Sequence, residues 1–253
     1  MSIVTEITRL QKAKANIKTA IENKGVTVGD GTIDTYAEKI SQISGGGSVD
    51  GHYDTFWDNY QNNGNRVKYD FAFAGEGWNE QNIKPKYNIT PTTATYMFAN
   101  CQINDLKALF DGLDIVLDFS KATNMNYVCQ YSKVKVLPDL DVSSMTRLSN
   151  IFRYANTLET ITIKGLNATQ VFDATFSGAT ALTNLTLIGA LGTNFNIANS
   201  SKLSDTSIQN IIDCLADLTG STSQTLTLHA TVGAKLTDEQ KATITSKNWT
   251  LVY

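Results

Sequence analysis

Histidine and cysteine are scarce in this chain: 2 and 3 residues among 253. The imidazoles are His52 and His229, and neither has a ligand-like neighbour at helical spacing, so no metal site is expected. Cys101, Cys129 and Cys214 form no CxxC pair, in a chain too large to need disulfide staples, and read as reduced, small core residues. The same scarcity removes most catalytic arrangements. A Ser-His-Asp or Cys-His set would have to use His52, beside a glycine tether, or His229, at the end of a strand-like run, and neither stands in a nucleophile motif. Paired acids such as Asp139 and Asp141 fall at a turn, where Asx side chains cap backbone groups. Neither enzymatic activity nor a cofactor is expected.

Excess charge is also lacking. The 21 Lys and Arg residues are dispersed and outnumbered by 24 Asp and Glu, for a net charge of -3, so no basic stripe offers the phosphate neutralisation of a nucleic-acid binder. No run approaches the roughly 18 apolar residues that span a bilayer, and no membrane insertion is expected. Met1 to Leu10 has neither the basic start nor the apolar run of a signal peptide, which implies a protein made in the cytoplasm and not exported by the general route. The AGEG stretch, Ala74 to Gly77, lacks the glycine pattern and the Lys-Ser/Thr of a phosphate loop.

What is present begins with helix formers. From Glu6 to Lys24 the chain is rich in Ala, Lys, Glu and Ile and stops at Gly25, the residue best able to take a left-handed cap. Ile7, Leu10, Ile17 and Ile21 fall at a and d of a heptad in which Lys14 takes the missing a position. Such a stripe serves either packing within its own domain or oligomerisation and docking between chains. The turn GVTVGDGT leads to a second helix with Ile33, Tyr36, Ala37, Ile40 and Ile43 on one face. The two make a helical hairpin over residues 1–43, an anchor or oligomerisation module. A Gly-rich linker, 44–50, has the composition of a flexible tether.

Residues 51–95 are dense in aromatics: Tyr53, Phe56, Trp57, Tyr60, Tyr69, Phe71, Phe73, Trp78 and Tyr87. They form a capping segment for the open end of a repeat stack, or a stacking platform for sugars.

From residue 96 to 253 the chain repeats. LDFSKATNMNYVC from Leu117, LDVSSMTRLSNIF from Leu140 and KGLNATQVFDATF from Lys164 end at Cys129, Phe152 and Phe176, 23 and 24 residues apart, and an imperfect earlier copy ends at Phe98. Each is followed by a β-type run. One short strand and one short helical turn per unit, at a period in the twenties, predict an α/β leucine-rich-repeat solenoid with parallel strands. Period-two alternation sends Ile161, Ile163, Leu185 and Leu187 inward and leaves Thr160, Thr162, Asn184 and Thr186 outward. TLTLH continues that row with Thr225, Thr227 and His229. The resulting flat polar face is a partner-binding candidate; Thr also simply tolerates exposed strands well. SDTSIQNIIDCLADL, with Ile208, Ile211, Ile212 and Leu215 on one face, predicts a longer helix, and the TDEQ capping box at Thr237 starts a last helix before the strand NWTLVY. These close the fold as a C-terminal cap.

LDFSKATNMNYVC and LDVSSMTRLSNIF resemble the BspA-like leucine-rich repeats, in which an LDxS strand-turn precedes a short helix closing on Phe or Cys; the third copy carries KGLN in place of LDxS. LQKAKANIKTAIENKGVTVGDGTIDTYAEKI resembles a helical module at the start of phage virion proteins and of prophage-encoded proteins of gut Firmicutes, and LTDEQKATITSKNWTLVY is similar to the close of such chains. The resemblance implies a virion structural protein of a tail, baseplate or head fibre. Its N-terminal helices would dock to other virion proteins, with a homotrimer as one possible state, and its repeats would face a host surface protein or glycan. The competing expectations are a bacterial BspA-like adhesion protein unattached to a virion, and a carbohydrate-active enzyme using a carboxylate pair of the middle segment.

Overall fold

A computed structural model describes residues 3–23, 26–29, 36, 39, 68–83, 85 and 88–253. The chain divides into two compact units, Met1–Asn62 and Asn63–Tyr253. In the first, α1 spans Ile3–Glu22, and surface pairs Glu6–Arg9 and Lys18–Glu22 run along it. The expected stripe divides in two. Ile21 is 2% exposed and packs with Val28 and Tyr36, and Lys14 places its ammonium 5.9 Å from the Tyr36 ring centroid, a cation–π contact. Ile7, Leu10 and Ile17 stand 50%, 53% and 39% exposed. Tyr36 and Lys39 are helical, as expected of the second helix. Ile33, Ala37, Ile40, Ile43, the Gly-rich linker, His52, Tyr53, Phe56, Trp57, Tyr60 and Tyr87 lie outside the described residues.

The second unit is mixed α/β, with short helices and parallel strands. Its elements are α2 (Leu106–Gly112), β1 (Leu140–Asp141), β2 (Arg147–Ser149), β3 (Thr160–Leu166), β4 (Val171–Asp173), β5 (Asn184–Gly189), β6 (Phe195–Asn196), α3 (Asp205–Cys214), β7 (Gln224–Thr227), α4 (Ala230–Gly233), α5 (Asp238–Ser246) and β8 (Trp249–Val252). Among the described residues every strand pairing is parallel: β1-β3-β5 in one sheet, β2-β4 in a second and β6-β7-β8 in a third. Isolated parallel bridges such as Lys68↔Thr93, Thr93↔Asn124, Ile89↔Leu117 and Val136↔Thr160 carry the pairing into the preceding chain. The first of these already lies in the segment expected only to cap, because the turn from Tyr69 to Gly75 hydrogen-bonds to Thr93, Thr95, Met97 and Ala99.

The part of each copy expected to be a short helix is a turn of another kind. Left-handed residues recur in pairs four apart: Phe71 and Gly75, Tyr96 and Asn100, Tyr127 and Tyr131, Asn150 and Tyr154, Ala174 and Gly178. Two such residues in one turn break the α-helical hydrogen-bond run. Their amides bond instead to the next copy, as in Tyr96 N–H to the Asn126 carbonyl (2.9 Å) and Tyr154 N–H to the Ser177 carbonyl (2.7 Å). Two residues after each first left-handed position stand Phe73, Phe98, Cys129, Phe152 and Phe176, all buried. Phe73 stacks on Phe98 at 5.2 Å, and Phe152 lies 5.4 Å from Phe176. The sequence endpoints are thus one core ladder, in which the small thiol of Cys129 takes a ring's place.

The third copy keeps the turn chemistry that KGLN had put in doubt. In the first two, Asp118 and Asp141 each accept the amide two residues on, from Ser120 and Ser143. In the third Asn167 accepts from Thr169 (3.1 Å), so the equivalent of LDxS is Leu166-Asn167-Ala168-Thr169, two residues later than the sequence alignment places it. A register shift between Lys164 and Leu166, with Gly165 at φ 76°, absorbs the offset. A Cβ at Gly165 would lie 2.8 Å from the Asp141 carboxylate and the Ser143 amide.

The strand edge of the first sheet is closed by side chains. Residues from Ser207 to Cys214 of α3 lie where another strand would: Leu185 N–H donates to Ser207 Oγ (2.9 Å) and Leu187 N–H to Asn210 Oδ1 (2.6 Å). Asn210 Nδ2 and Cys214 Sγ donate to the Leu187 carbonyl, at 3.1 and 3.3 Å. An exposed parallel edge would be a template for pairing with other chains, and this helix removes it. α3 ends at Cys214 with Ser204 as N-cap; Leu215, expected on its face, bridges instead to Leu191. The Thr237 capping box and the terminal strand, α5 and β8, form as expected.

Candidate functional site

The outward face of β3 and β5 is built rung by rung. Ile161, Ile163, Leu185 and Leu187 are buried, which forces their neighbours outward. The register pairs Thr160 with Asn184, Thr162 with Thr186, and Lys164 with Ile188, while Asp141 of β1 stands opposite Lys164 on its other side. Asn184 Nδ2 lies 3.4 Å from Thr160 Oγ1, a polar cross-strand contact. The four expected residues of this sheet are therefore brought together, and Lys164, Ile188 and Asp141 extend them.

Thr225 and Thr227 are not on that face. They belong to β7, whose partners are β6 and β8, because α3 occupies the edge of β5 where the row would have continued. Thr225 sits opposite Thr250, and Thr227 opposite Val252 and Asn196. His229 is the N-cap of α4: its Nδ1 accepts the Thr231 amide at 3.2 Å. The single polar face expected from the alternation is two faces on two sheets.

Lys164 also lines a cleft of about 300 Å³, with Lys107, Phe110, Asp111, Ile115, Val116, Leu117, Asp118, Pro138 and Asp139. Lys107 and Asp111 are paired at 2.5 Å, and the contact with Asp111, then its charge, raises the Lys107 pKa, so this ammonium stays charged. Asp118 is held by the amide and hydroxyl of Ser120. Asp141 is shifted the other way: burial works against its charge, but the Ser143 hydrogen bonds and the Lys164 charge outweigh it and lower its pKa. The lining combines charged groups of both signs with the apolar side chains of Phe110, Ile115, Val116, Leu117 and Pro138. Nothing in the local pattern marked Lys107 or Val116, and Asp139 was legible only as a turn acid beside Asp141, because the cleft joins three chain segments that are distant in sequence.

Burial pushes the Cys101 thiol up to about 11 and Cys129 well above its ordinary value, which keeps both protonated and poorly nucleophilic. Cys214 is also raised by partial burial. Among the described residues no group of three or more His, Cys, Asp or Glu side chains is placed to hold a metal ion, and no helix is long and apolar enough to cross a membrane. Of the aromatics considered as a sugar platform, Tyr69, Phe73 and Trp78 are buried, while Phe71 is exposed with one ring face stacked on Tyr96.

No family model matches the chain, and no curated protein or solved structure matches it significantly.

Proposed function

We propose that this chain is a non-enzymatic structural protein of a bacteriophage virion, from a tail, baseplate or head fibre. The second unit is read as a BspA-like leucine-rich-repeat solenoid presented for binding to a host surface protein or glycan. The N-terminal helices dock to other virion proteins, and Ile7, Leu10, Ile17 and Ile21 supply an oligomerisation or docking stripe, a homotrimer being one arrangement it suits. Made in the host cytoplasm, the protein resides in the particle and uses no cofactor.

The observation that carries the binding role is the polar ladder on β3 and β5. Thr160, Thr162, Asn184 and Thr186 stand on a rigid parallel sheet, continuous through Lys164 with a lined cleft, so a partner meets a surface whose backbone is already ordered. The virion setting rests on the N-terminal and C-terminal resemblances. Exposure of Ile7, Leu10 and Ile17 supports a docking role, since these side chains are not buried in the core of their own unit. Its Ile21 end packs with Tyr36 and Val28, so docking would draw mainly on the other three.

The test is labelled electron microscopy of purified phage particles with an antibody against the second unit, with mass spectrometry of the same particles. Decoration at one defined location supports the reading and separates tail from head. Particles lacking the protein refute it and leave a cell-associated adhesion protein of the same fold.

A further inference from the structure

Two sheets of the second unit end differently. The edge of β5 is taken up by α3, whose Ser207, Asn210 and Cys214 side chains satisfy its backbone. β8 is the outermost strand of the third sheet, with β7 on one side. The helix packed on it, α5, does not repeat the device: the hydroxyls of Thr243, Thr245 and Ser246 donate to carbonyls of their own helix.

Parallel pairing engages alternate residues of a strand, because the N–H and C=O of one residue point to the same side. Leu228 N–H donates to the Val252 carbonyl (2.9 Å), and the register sets Thr227 opposite Val252 and Thr225 opposite Thr250. Thr250 and Val252 therefore turn their backbone groups toward β7, and Leu251 between them turns its N–H and C=O away. Among the described residues no hydrogen bond takes up either Leu251 group. Free edges are commonly blunted by a charged side chain, a proline or a bulge. β8, Trp-Thr-Leu-Val, has none of these, and its register with β7 runs without a shift. Its outward residues are Thr250, Val252 at 47% exposure and, just beyond, Tyr253 at 51%, whose ring lies against Gly233 of α4.

We propose that the free edge of β8 pairs with β8 of a second copy of this chain, antiparallel about a two-fold axis at Leu251. The row is self-complementary under that axis: the Leu251 N–H of each copy meets the Leu251 carbonyl of the other, and Thr250 stands opposite Val252. Thr250 and Val252 then form a non-hydrogen-bonded pair, the closer kind, in which two β-branched side chains pack and no like charges meet. A foreign extended peptide satisfies the backbone equally well, but an identical edge also brings the apolar surface of Val252 and Tyr253 in each copy against its like. The 3-stranded sheets of two copies become one continuous sheet. An edge of 4 residues buries less than the roughly 800 Å² per partner of a standard interface. The pairing is therefore reversible, absent at about 10 µM and formed at several hundred. It goes beyond the function proposed above and does not rest on the virion reading.

The experiment follows amide hydrogen exchange in the purified full chain by NMR from about 10 to about 500 µM, the range suited to so small an interface. Leu228 N–H, already bonded within the chain, is the internal reference. Leu251 exchange should slow roughly tenfold or more across that range, and Leu228 exchange should not change. Thr250→Lys with Val252→Lys sets like charges opposite each other in the pair and should abolish the slowing. Thr250→Lys with Val252→Glu sets Lys opposite Glu at the same two places and should keep it, so loss in the first variant is not loss of the fold. Exchange at Leu251 independent of concentration overturns the proposal, as does slowing that survives the double lysine change or disappears from the Lys/Glu chain. Protection of Leu251 already complete in the monomer shows that the chain covers its own edge, and overturns it too. Slowing by an added Thr-Val-Thr-Val peptide without slowing by the chain itself makes the edge a peptide site and removes the second copy. Association through Ile7, Leu10 and Ile17 leaves Leu251 exchange unaltered, so the two contacts are read separately.

Discussion

A buried amide is costly unless each of its polar atoms is paired, and Gln170, 1% exposed, meets that condition at three points. Its Nε2 donates to the carbonyls of Val142 (2.8 Å) and Met145 (2.9 Å), and its Oε1 accepts the Asn167 amide (3.0 Å). Gln170→Leu keeps the volume and strands all three groups, so urea unfolding should show a loss of about 1–3 kcal/mol per group left unpaired; a variant as stable as the parent would refute this assignment. Asp70 gives a second test. Its carboxylate ties two copies together through Thr93 Oγ1 and the Thr95 amide, both at 2.8 Å. Burial alone would raise its pKa, but those hydrogen bonds outweigh burial and lower it. Asp141 is depressed in the same sense. A carboxylate lower in the folded than in the unfolded state stabilises the fold above its unfolded pKa, and that stabilisation disappears as pH falls through the folded value. The melting temperature should therefore drop on acidification below about pH 4, and Asp70→Asn with Asp141→Asn should flatten the drop. An unaltered pH profile in that double variant would contradict it. The Asx role of Asp141 was legible from LDVS; the roles of Asp70 and Gln170 were not, because the partners of Asp70 and the two carbonyls that Gln170 reaches lie 23 to 28 residues away.

Among the elements, α3 was predicted from the spacing of its isoleucines, and Ile208, Ile211 and Ile212 are buried as that spacing requires. Its polar face has a task the pattern did not reveal. Asn210 both accepts from and donates to the backbone of Leu187, as a strand residue would. Asn210→Leu should leave the Leu187 backbone groups without their partner, speed hydrogen exchange at Leu187 relative to Ile163 on the neighbouring strand β3, and cost about 1–3 kcal/mol; exchange at Leu187 no faster than in the parent would show that the edge is held by other contacts. The same helix explains why a row of threonines that looks continuous along the sequence is divided between β3-β5 and β7. Alternation states which face of a strand is polar, but not which strand lies beside it.

For the molecule as a whole, the division at Asn62 and Asn63 predicts that residues 63–253 produced alone fold cooperatively, with a melting transition close to that of the second unit in the full chain. A fragment without a cooperative transition would place part of its core before Asn63. If Ile7, Leu10 and Ile17 form a seam between chains, replacing all three with Ser should reduce the mass in sedimentation equilibrium to that of a monomer and leave the second unit's melting unaltered, whereas Ile21→Ser should loosen the first unit itself.

The amino-acid pattern by itself determined the repeat spacing, the inward positions of β3 and β5, the long N-terminal helix and the capped helices near the C-terminus, since each depends on neighbours a few residues apart. Only the tertiary structure decided the register of the third copy, the left-handed turns in place of helices, the separation of the two threonine rows and the stacking of Tyr131 on Tyr154. These depend on hydrogen bonds and ring stacking between copies more than 20 residues apart, where bulge position and backbone handedness are set by which strand or turn becomes the neighbour and leave no trace in local periodicity.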